Sequence, residues 1–488
     1  MKNTSSRPES TTSDSGRSYA RNNVRFFSHT TEVFRHHIPT EFILLGVIES
    51  IALILSFYTG TAIRISEVVG SQFTNAIVFG LVMLSSLIAF GAYQRQPKQT
   101  LSELAIRLAS SLMLGLVVLT LTYYVAPEFF FHGRGVLAMA VFVSFIVILS
   151  IRMAFMKIMS AYDLNLRVLI LGAGETADLV RQAQAAGDLD GLNIISYMPA
   201  PGDHEGNKTI SLINTRGALA KYVSEQYIDV IVLAMDDRRK GLPVHDLLEC
   251  KMGGVEVIDL LTFFERHTGK VRLDIVQPSW IFLSSGFRVS QFKRMWKRIF
   301  DIVLVLLLLP LVLPLTLMIV TALLIESRFR SSVIYRQTRV GVDGRHFSIY
   351  KFRSMITNAE QDGVARWCQK NDSRITRVGA LLRKFRLDEI PQLFNILKGD
   401  MSFVGPRPER PEFVQRLEEK IPFYSERHRV KPGLSGWAQI RYPYGASEED
   451  GYEKLQYDLY YVKNYNALLD ALILLQTAEV VLLGRGAH

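Results

Sequence analysis

A membrane protein of α plus α/β class is predicted: a four-helix transmembrane bundle, a Rossmann-like α/β domain, and a re-entrant membrane helix hairpin carrying a mostly helical cytoplasmic domain. Three observations predict it. Four long apolar runs fill 42–160, strand-like and helix-like segments alternate over 161–275, and a fifth apolar run at 299–325 is basic at both ends and interrupted by prolines. The 488 residues have room for roughly three units of about 150 residues each. A hydrophobic content of 49% is high for a soluble protein of this size, and a net charge of +10 points to anionic partners such as lipid head groups or phosphates. Cys250 and Cys368 are the only cysteines; their separation matches no metal or disulfide pattern, so both read as reduced thiols.

Residues 1–41 are rich in Ser, Thr and Arg without an apolar run, which reads as a disordered basic tail and not a signal peptide. The apolar runs at 42–60, 73–93, 104–126 and 135–157 each approach the roughly 20 residues of a spanning helix. Basic residues set their orientation: Arg21, Arg25 and Arg35 precede the first, Arg95, Lys98 and Arg107 lie between the second and third, and Arg152, Lys157 and Arg167 end the fourth. The other two loops offer only Arg64 and Arg134, so the positive-inside rule puts the N-terminus, the middle loop and everything after 160 in the cytoplasm. Glu49, inside the first run, reads as an acid facing a neighbouring helix or as a functional intramembrane carboxylate.

Within 161–275, RVLILGAGETADLV (167–180) reads as a strand, a Gly-rich turn and a helix start, with further buried strands at 228–235 and 255–260. The Gly172-Ala173-Gly174 turn could cradle a pyrophosphate. No acidic residue ends the second strand, NIISYM (193–198), and no YxxxK pair occurs. A scaffold or regulatory fold without NAD is therefore expected over an active nucleotide site. Residues 276–292 form a linker. The run at 299–325 follows KRMWKR (293–298) and precedes Arg328 and Arg330, with Pro310 and Pro314 in its middle. Positive charge at both ends puts both on the cytoplasmic side, and a proline break suits a hairpin that enters one leaflet and returns.

From 333, Arg336, Arg339, Lys351 and Arg353 stand among glycines and β-formers. A helix is expected from Thr376, with Val378, Leu381, Leu382 and Phe385 on one buried face, and a second with Ile390, Leu393, Phe394 and Leu397 on another. Asp388 and Glu389 then stand at the mouth of the second helix, between Arg383 and Pro391. Two carboxylates beside arginines suit a magnesium ligand and a nucleophile in phosphoryl chemistry. On the residues alone they suit a helix N-cap equally well.

KFRSM (351–355), RLDEIPQLFNILKGDMSFVGPRP (386–408), VKPGLSGWAQI (430–440) and YDLYYVKN (457–464) resemble, in order, the bacterial sugar transferase family. These are the monotopic phosphoglycosyl transferases, also called polyprenyl-phosphate hexose-1-phosphate transferases. The likeness covers 293–488, and the upstream segments resemble the large, exopolysaccharide-associated members. The resemblance implies a catalytic domain in which Asp388 attacks a UDP-sugar, releases UMP and passes the phospho-sugar to undecaprenyl phosphate. It implies Mg²⁺, or Mn²⁺ in its place, on Glu389; phosphate or nucleotide contacts from Arg383, Arg407, Lys351 and Arg353; Lys297 and Arg298 near lipid head groups; and a hairpin break at Pro314. Partners would be the UDP-sugar, polyprenyl phosphate, inner-membrane lipid, a second copy of the chain and polysaccharide-assembly proteins, with no nucleic acid. The sequence departs from the usual pattern at Leu313, where many members have Ser, and after GWAQ, where IRYP leaves the role of Arg441 open. A membrane-bound nucleotide-sugar dehydratase and a non-enzymatic scaffold are the competing readings.

Overall fold

The computed structural model describes residues 30–482 except 34–35, 65–71, 94–100, 126–133, 162–165, 204–218, 357–373, 443–446 and a few positions within 190–202, 238–240 and 277–290. Most of the expected tail, the loop with Arg95 and Lys98, Cys368 and much of the 276–292 linker lie outside the described residues; Cys250 is free and buried. The chain forms two units, Met1–Leu87 with Tyr93–Phe263, and Ile88–Ala92 with Phe264–His488.

In the first unit the end of the expected tail pairs as an antiparallel hairpin, β1 (Thr30–Val33) with β2 (His36–Pro39). Each of the four apolar runs is helical: α1 (Thr40–Arg64), α2 (Phe73–Ala89), α3 (Leu101–Val125) and α4 (Arg134–Ala161). Among the described residues four helices are long and apolar enough to cross a membrane, but they are not the expected four. They are α1, α3, α4 and a later helix; α2, at 17 residues, rises only about 26 Å. Glu49 is fully buried and faces Arg152 of α4, 2.7 Å away, with Tyr93 donating a second bond to its carboxylate. Burying an acid inside an apolar helix pair requires such a partner.

Glycines set how closely these helices approach. A Cβ at Gly60 would stand 2.7 Å from the Ala140 backbone nitrogen, and one at Gly80 would meet Ile54 at 3.0 Å. Gly60→Val is expected to force α1 from α4 and to cost roughly 1–3 kcal/mol. A lowered melting temperature of the detergent-solubilised protein checks this; an unchanged one would show the contact yields freely.

The same unit holds a four-stranded parallel sheet in the order β4-β3-β5-β6. Its strands are β3 (Leu166–Leu171), β4 (Leu192–Met198), β5 (Val230–Leu233) and β6 (Glu256–Asp259). With it come α5 (Glu175–Ala185), α6 (Leu219–Glu225), α7 (Val244–Met252) and the first residues, to Phe263, of α8 (Leu260–Thr268). The central strands are near-continuous apolar runs (Leu169, Ile170, Ile231 and Val232 have no exposed surface), as a sheet covered on both faces requires.

The second unit is built on α9, Gln291–Glu326, which is helical for 36 residues through both Pro310 and Pro314. The expected break at Pro314 is therefore absent from the backbone. A proline removes one helix hydrogen bond, and the bonds of its neighbours carry the helix past it. Both ends of α9 dock on this one unit. Near the start, Asp301 accepts bonds from Ser402 Oγ at 2.9 Å and Phe403 N at 3.1 Å; near the end, Ile319 and Leu323 pack with Phe352 and Leu382. Between them Leu307, Leu311, Leu317 and Met318 are 71%, 70%, 69% and 63% exposed.

β7 (Ile334–Val340) and β8 (His346–Phe352) pair as an antiparallel hairpin, followed by α10 (Arg377–Lys384), capped by Thr376, and α11 (Gln392–Lys398). Next come β9 (Ser402–Val404), α12 (Pro411–Lys420) and β10 (Gly433–Ser435), which pairs parallel with β9. α13 (Trp437–Arg441), α14 (Glu448–Asn464) and α15 (Ala467–Leu482) complete the unit. The stretch after Phe263 docks on α14, through Glu265 to Lys463 at 2.6 Å and to Asn464 at 2.8 Å.

The expected buried faces of α10 and α11 are only half buried. Leu382 and Leu393 are 2% and 9% exposed, whereas Leu381, Phe385 and Phe394 are 56%, 39% and 59% exposed. Helical spacing shows that residues share a face; it does not show that the domain's own core is wide enough to cover it.

Candidate active site

Asp388 and Glu389 lie on the 3₁₀ turn Leu387–Glu389, which follows Arg386 in a left-handed conformation at φ +53°. That reversal, unfavourable for a residue with a side chain, turns both carboxylates into the unit, where they are 9% and 7% exposed. Neither caps a helix: α11 begins at Gln392, with Pro391 in the capping position and no side-chain cap.

Glu389 is gripped by two cations. Lys351 Nζ, from the end of β8, donates to Oε1 at 2.7 Å, and Arg407 Nη2 donates to the same oxygen at 3.1 Å. Burial raises the cost of its charge, but Lys351, Arg407 and Arg386 outweigh it and hold the carboxyl well below the usual carboxylate range. Asp388 is the opposite case. Among the described residues its side chain accepts no hydrogen bond. Burial pushes its carboxyl up, the neighbouring Glu389 adds to this, and Lys351, Arg383 and Arg407 act against it. One turn thus holds a tied carboxylate and a free one.

Arg383 and Arg386 contribute positive potential from α10 and the turn. Arg353 lies just past β8, bonded through its backbone to Val333 O, with its Nη1 buried and without a partner among the described residues. The residues at the mouth of α9 are engaged within the unit. Lys297 reaches Asp470 at 2.6 Å and Tyr461 at 3.0 Å, and Arg298 donates to the Ile396 and Leu397 carbonyls at the end of α11. Pro314 lies in the exposed middle of α9, and Arg441 stacks over Trp437 at 4.4 Å. Sequence reasoning passed over Tyr424, Arg427 and Asp458, which lie behind Arg407. Asp458 was within reach, because it falls inside YDLYYVKN.

Among the described residues no three His, Cys, Asp or Glu side chains gather as a metal cage. Magnesium does not require one: it takes one or two carboxylates and completes its shell with waters and substrate phosphates. With both donors on Oε1, Glu389 Oε2 would remain to ligate a cation, with Asp388 beside it.

The Gly172-Ala173-Gly174 turn, which could cradle a pyrophosphate by its sequence, is lined by the chain's own acids. Gly172 takes φ +136°, where a Cβ would stand 2.2 Å from the Ala234 oxygen. The amides beyond it are already satisfied: Ala173 N donates to Asp203 at 2.9 Å and Thr176 N to Asp236 at 2.8 Å. The chain's own carboxylates fill the place of a phosphate.

Fold and site together define a membrane-associated protein that presents a buried carboxylate pair among cations at the foot of an apolar helix. A family described as bacterial sugar transferase matches residues 292–484. A UDP-N-acetylgalactosamine-undecaprenyl-phosphate N-acetylgalactosaminephosphotransferase of Aeromonas hydrophila is 41% identical over 263 residues, 54% of this chain and 61% of that protein. A UDP-glucose:undecaprenyl-phosphate glucose-1-phosphate transferase of Escherichia coli is 35% identical over 255 residues, 52% and 54% of the two chains. A UDP-galactose-lipid carrier transferase of Erwinia amylovora is 30% identical over 342 residues, 66% and 69% of the two. The chain belongs to the bacterial sugar transferase family. It spans about three fifths of the length of the Aeromonas relative.

Proposed function

We propose that the protein transfers a sugar-1-phosphate from a UDP-sugar to undecaprenyl or another polyprenyl phosphate, releasing UMP, as the first membrane step of an exopolysaccharide or capsule repeat unit. The observation that carries this reading is the buried Asp388 carboxylate, free of hydrogen bonds among the described residues, beside a Glu389 held by Lys351 and Arg407. An Asp388 oxygen attacks the β-phosphorus, the bond from that phosphorus to the bridging oxygen breaks, and UMP leaves with the electron pair. An oxygen of polyprenyl phosphate then attacks the same phosphorus and restores the Asp388 carboxylate. Arg407, Lys351 and Arg383 bind the phosphate oxygens and offset charge as it develops. Glu389 would hold magnesium, which would supply further charge neutralisation.

The membrane places the two substrates together. The exposed leucines of α9 and the outer faces of α10 and α11 seat this unit at the inner surface of the bacterial inner membrane. Because both ends of α9 dock on the one unit, we infer that the unbroken helix bends at its prolines within the bilayer, keeping both ends on one side and the unit cytoplasmic. Tyr335→Cys, in a chain with Cys250 and Cys368 replaced by Ser, is expected to react only with thiol reagents that reach the cytoplasm. Labelling from the periplasm would put α9 across the membrane instead. The parallel-sheet domain, Rossmann-like in strand order, acts as a scaffold, since Asp203 and Asp236 occupy its phosphate turn.

The relatives are named for different sugars, so the donor is found by assay. Purified full-length protein with Mg²⁺, undecaprenyl phosphate and UDP-N-acetylgalactosamine, UDP-glucose or UDP-galactose is expected to release UMP with one of them. Silence with all three would count against this reading.

A further inference from the structure

Arg407 rides on a loop, Gly405–Glu409, that is bound at every residue. Gly405 N donates to Ser435 O at 2.9 Å, and Pro406 O accepts from Gly433 N at 2.9 Å. Pro408 O accepts from Arg339 Nη1 at 3.2 Å, and Glu409 O from Val340 N at 3.0 Å. Arg407 itself is bound through its carbonyl, which accepts from Arg427 Nη2 at 3.0 Å. The Arg427 side chain is 5% exposed and has two further partners. Its Nη1 donates to the Tyr424 hydroxyl at 2.6 Å, and Nη2 stands 2.7 Å from Asp458 Oδ2, on a side chain 2% exposed.

A buried ion pair is a weak way to stabilise a fold, because apolar residues of similar volume often do as well or better. What it does provide here is direction. A planar guanidinium anchored by Tyr424 and Asp458 presents the second N–H of Nη2 along a fixed line to the Arg407 carbonyl, and a lysine could not bind three partners in that geometry. The bonded carbonyl belongs to the residue whose side chain, on the same Cα, reaches Glu389 at 3.1 Å.

We propose that Arg427, anchored by Asp458 and Tyr424, is a positioning residue for Arg407: it fixes the backbone from which the Arg407 guanidinium reaches Glu389 and the substrate phosphates. This rests on the reading of Arg407 as a phosphate ligand. Displacing a substrate-binding group by about 1 Å costs on the order of 10²-fold in rate. Arg427 touches neither carboxylate in any bond the structure records, so its whole effect on turnover passes through Arg407.

The test is a double-mutant cycle in the full-length protein. Arg427→Lys is expected to lower UMP release about 10–100-fold, with a melting temperature near that of the parent. In an Arg407→Ala background the same change is expected to cost less than about 3-fold, because residues acting as a unit are not additive. Losses that multiply would overturn the positioning role. Should Arg427→Lys fold poorly, Arg427→Gln combined with Asp458→Asn replaces the ion pair by neutral groups of like size and takes its place in the cycle. An Arg407→Ala protein with parental turnover would sink the phosphate-binding role of Arg407 and leave the geometric claim to a second measurement. A cryo-EM map of the Arg427→Lys protein is expected to show the Arg407–Glu389 contact opened; an unaltered contact overturns the proposal whatever the assay shows.

Discussion

Asp388→Asn is expected to abolish UMP release, by at least about a thousandfold, because an amide cannot form the acyl phosphate on which both half-reactions of the proposed mechanism depend. The same change should not harm the fold. Burial, with Glu389 alongside, raises the Asp388 carboxyl above its ordinary value. A carboxyl so raised binds its proton more tightly folded than unfolded, so stability falls as pH rises through that interval. Removing the charge relieves that cost, and the melting temperature of Asp388→Asn should equal or exceed that of the parent. An inactive variant that is also less stable would point to a structural role for the side chain. The pH profile of the parent follows from the same shift. A protonated carboxyl is no nucleophile, so turnover should decline on the acid side, beginning above the usual carboxylate range.

Glu389→Gln should move both readouts downward. Its carboxyl is held low by Lys351, Arg407 and Arg386 against the cost of burial. A depressed carboxyl contributes stability that is present above its unfolded pKa and is lost as pH falls toward its folded one. Gln leaves Lys351 and Arg407 facing a neutral amide. Both are partly exposed, so water compensates in part, and a loss of roughly 1–3 kcal/mol is expected at neutral pH, vanishing in acid. Turnover should fall about 10²–10³-fold, since the amide neither orients the cations nor binds a metal as a carboxylate does. Raising Mg²⁺ should recover part of the loss if metal binding is the larger share; a variant indifferent to Mg²⁺ would assign Glu389 to orienting Lys351 and Arg407. Opposite stability changes from two adjacent carboxylates are a sharp check, because general damage to the turn would move both the same way.

Much of this protein was legible along the chain, and the reason is locality. Whether a run is apolar enough for a bilayer, whether it repeats with a helical period, and where prolines and glycines stand depend on neighbouring residues alone. The apolar helices, the parallel strands and the Asp388-Glu389 pair could therefore be read directly, but not that the second helix, at 17 residues, falls short of the long apolar class that α9 joins. What folding decided are relations between distant residues. Glu389 meets Lys351 from 38 positions before it and Arg407 from 18 after it, and this choice of partners separates the two carboxylates into a tied and a free one. Asp203 and Asp236 fill a turn whose sequence suggested a phosphate, because each is brought from 30 and 60 positions away to its unpaired amides. The helical spacing of α10 and α11 marked an apolar face, but only the packed unit shows that half of it is left exposed. Local sequence sets what a segment can form. Its charge state, its cover and its partners depend on what the rest of the chain brings beside it, and in a low-dielectric interior those neighbours dominate the energy.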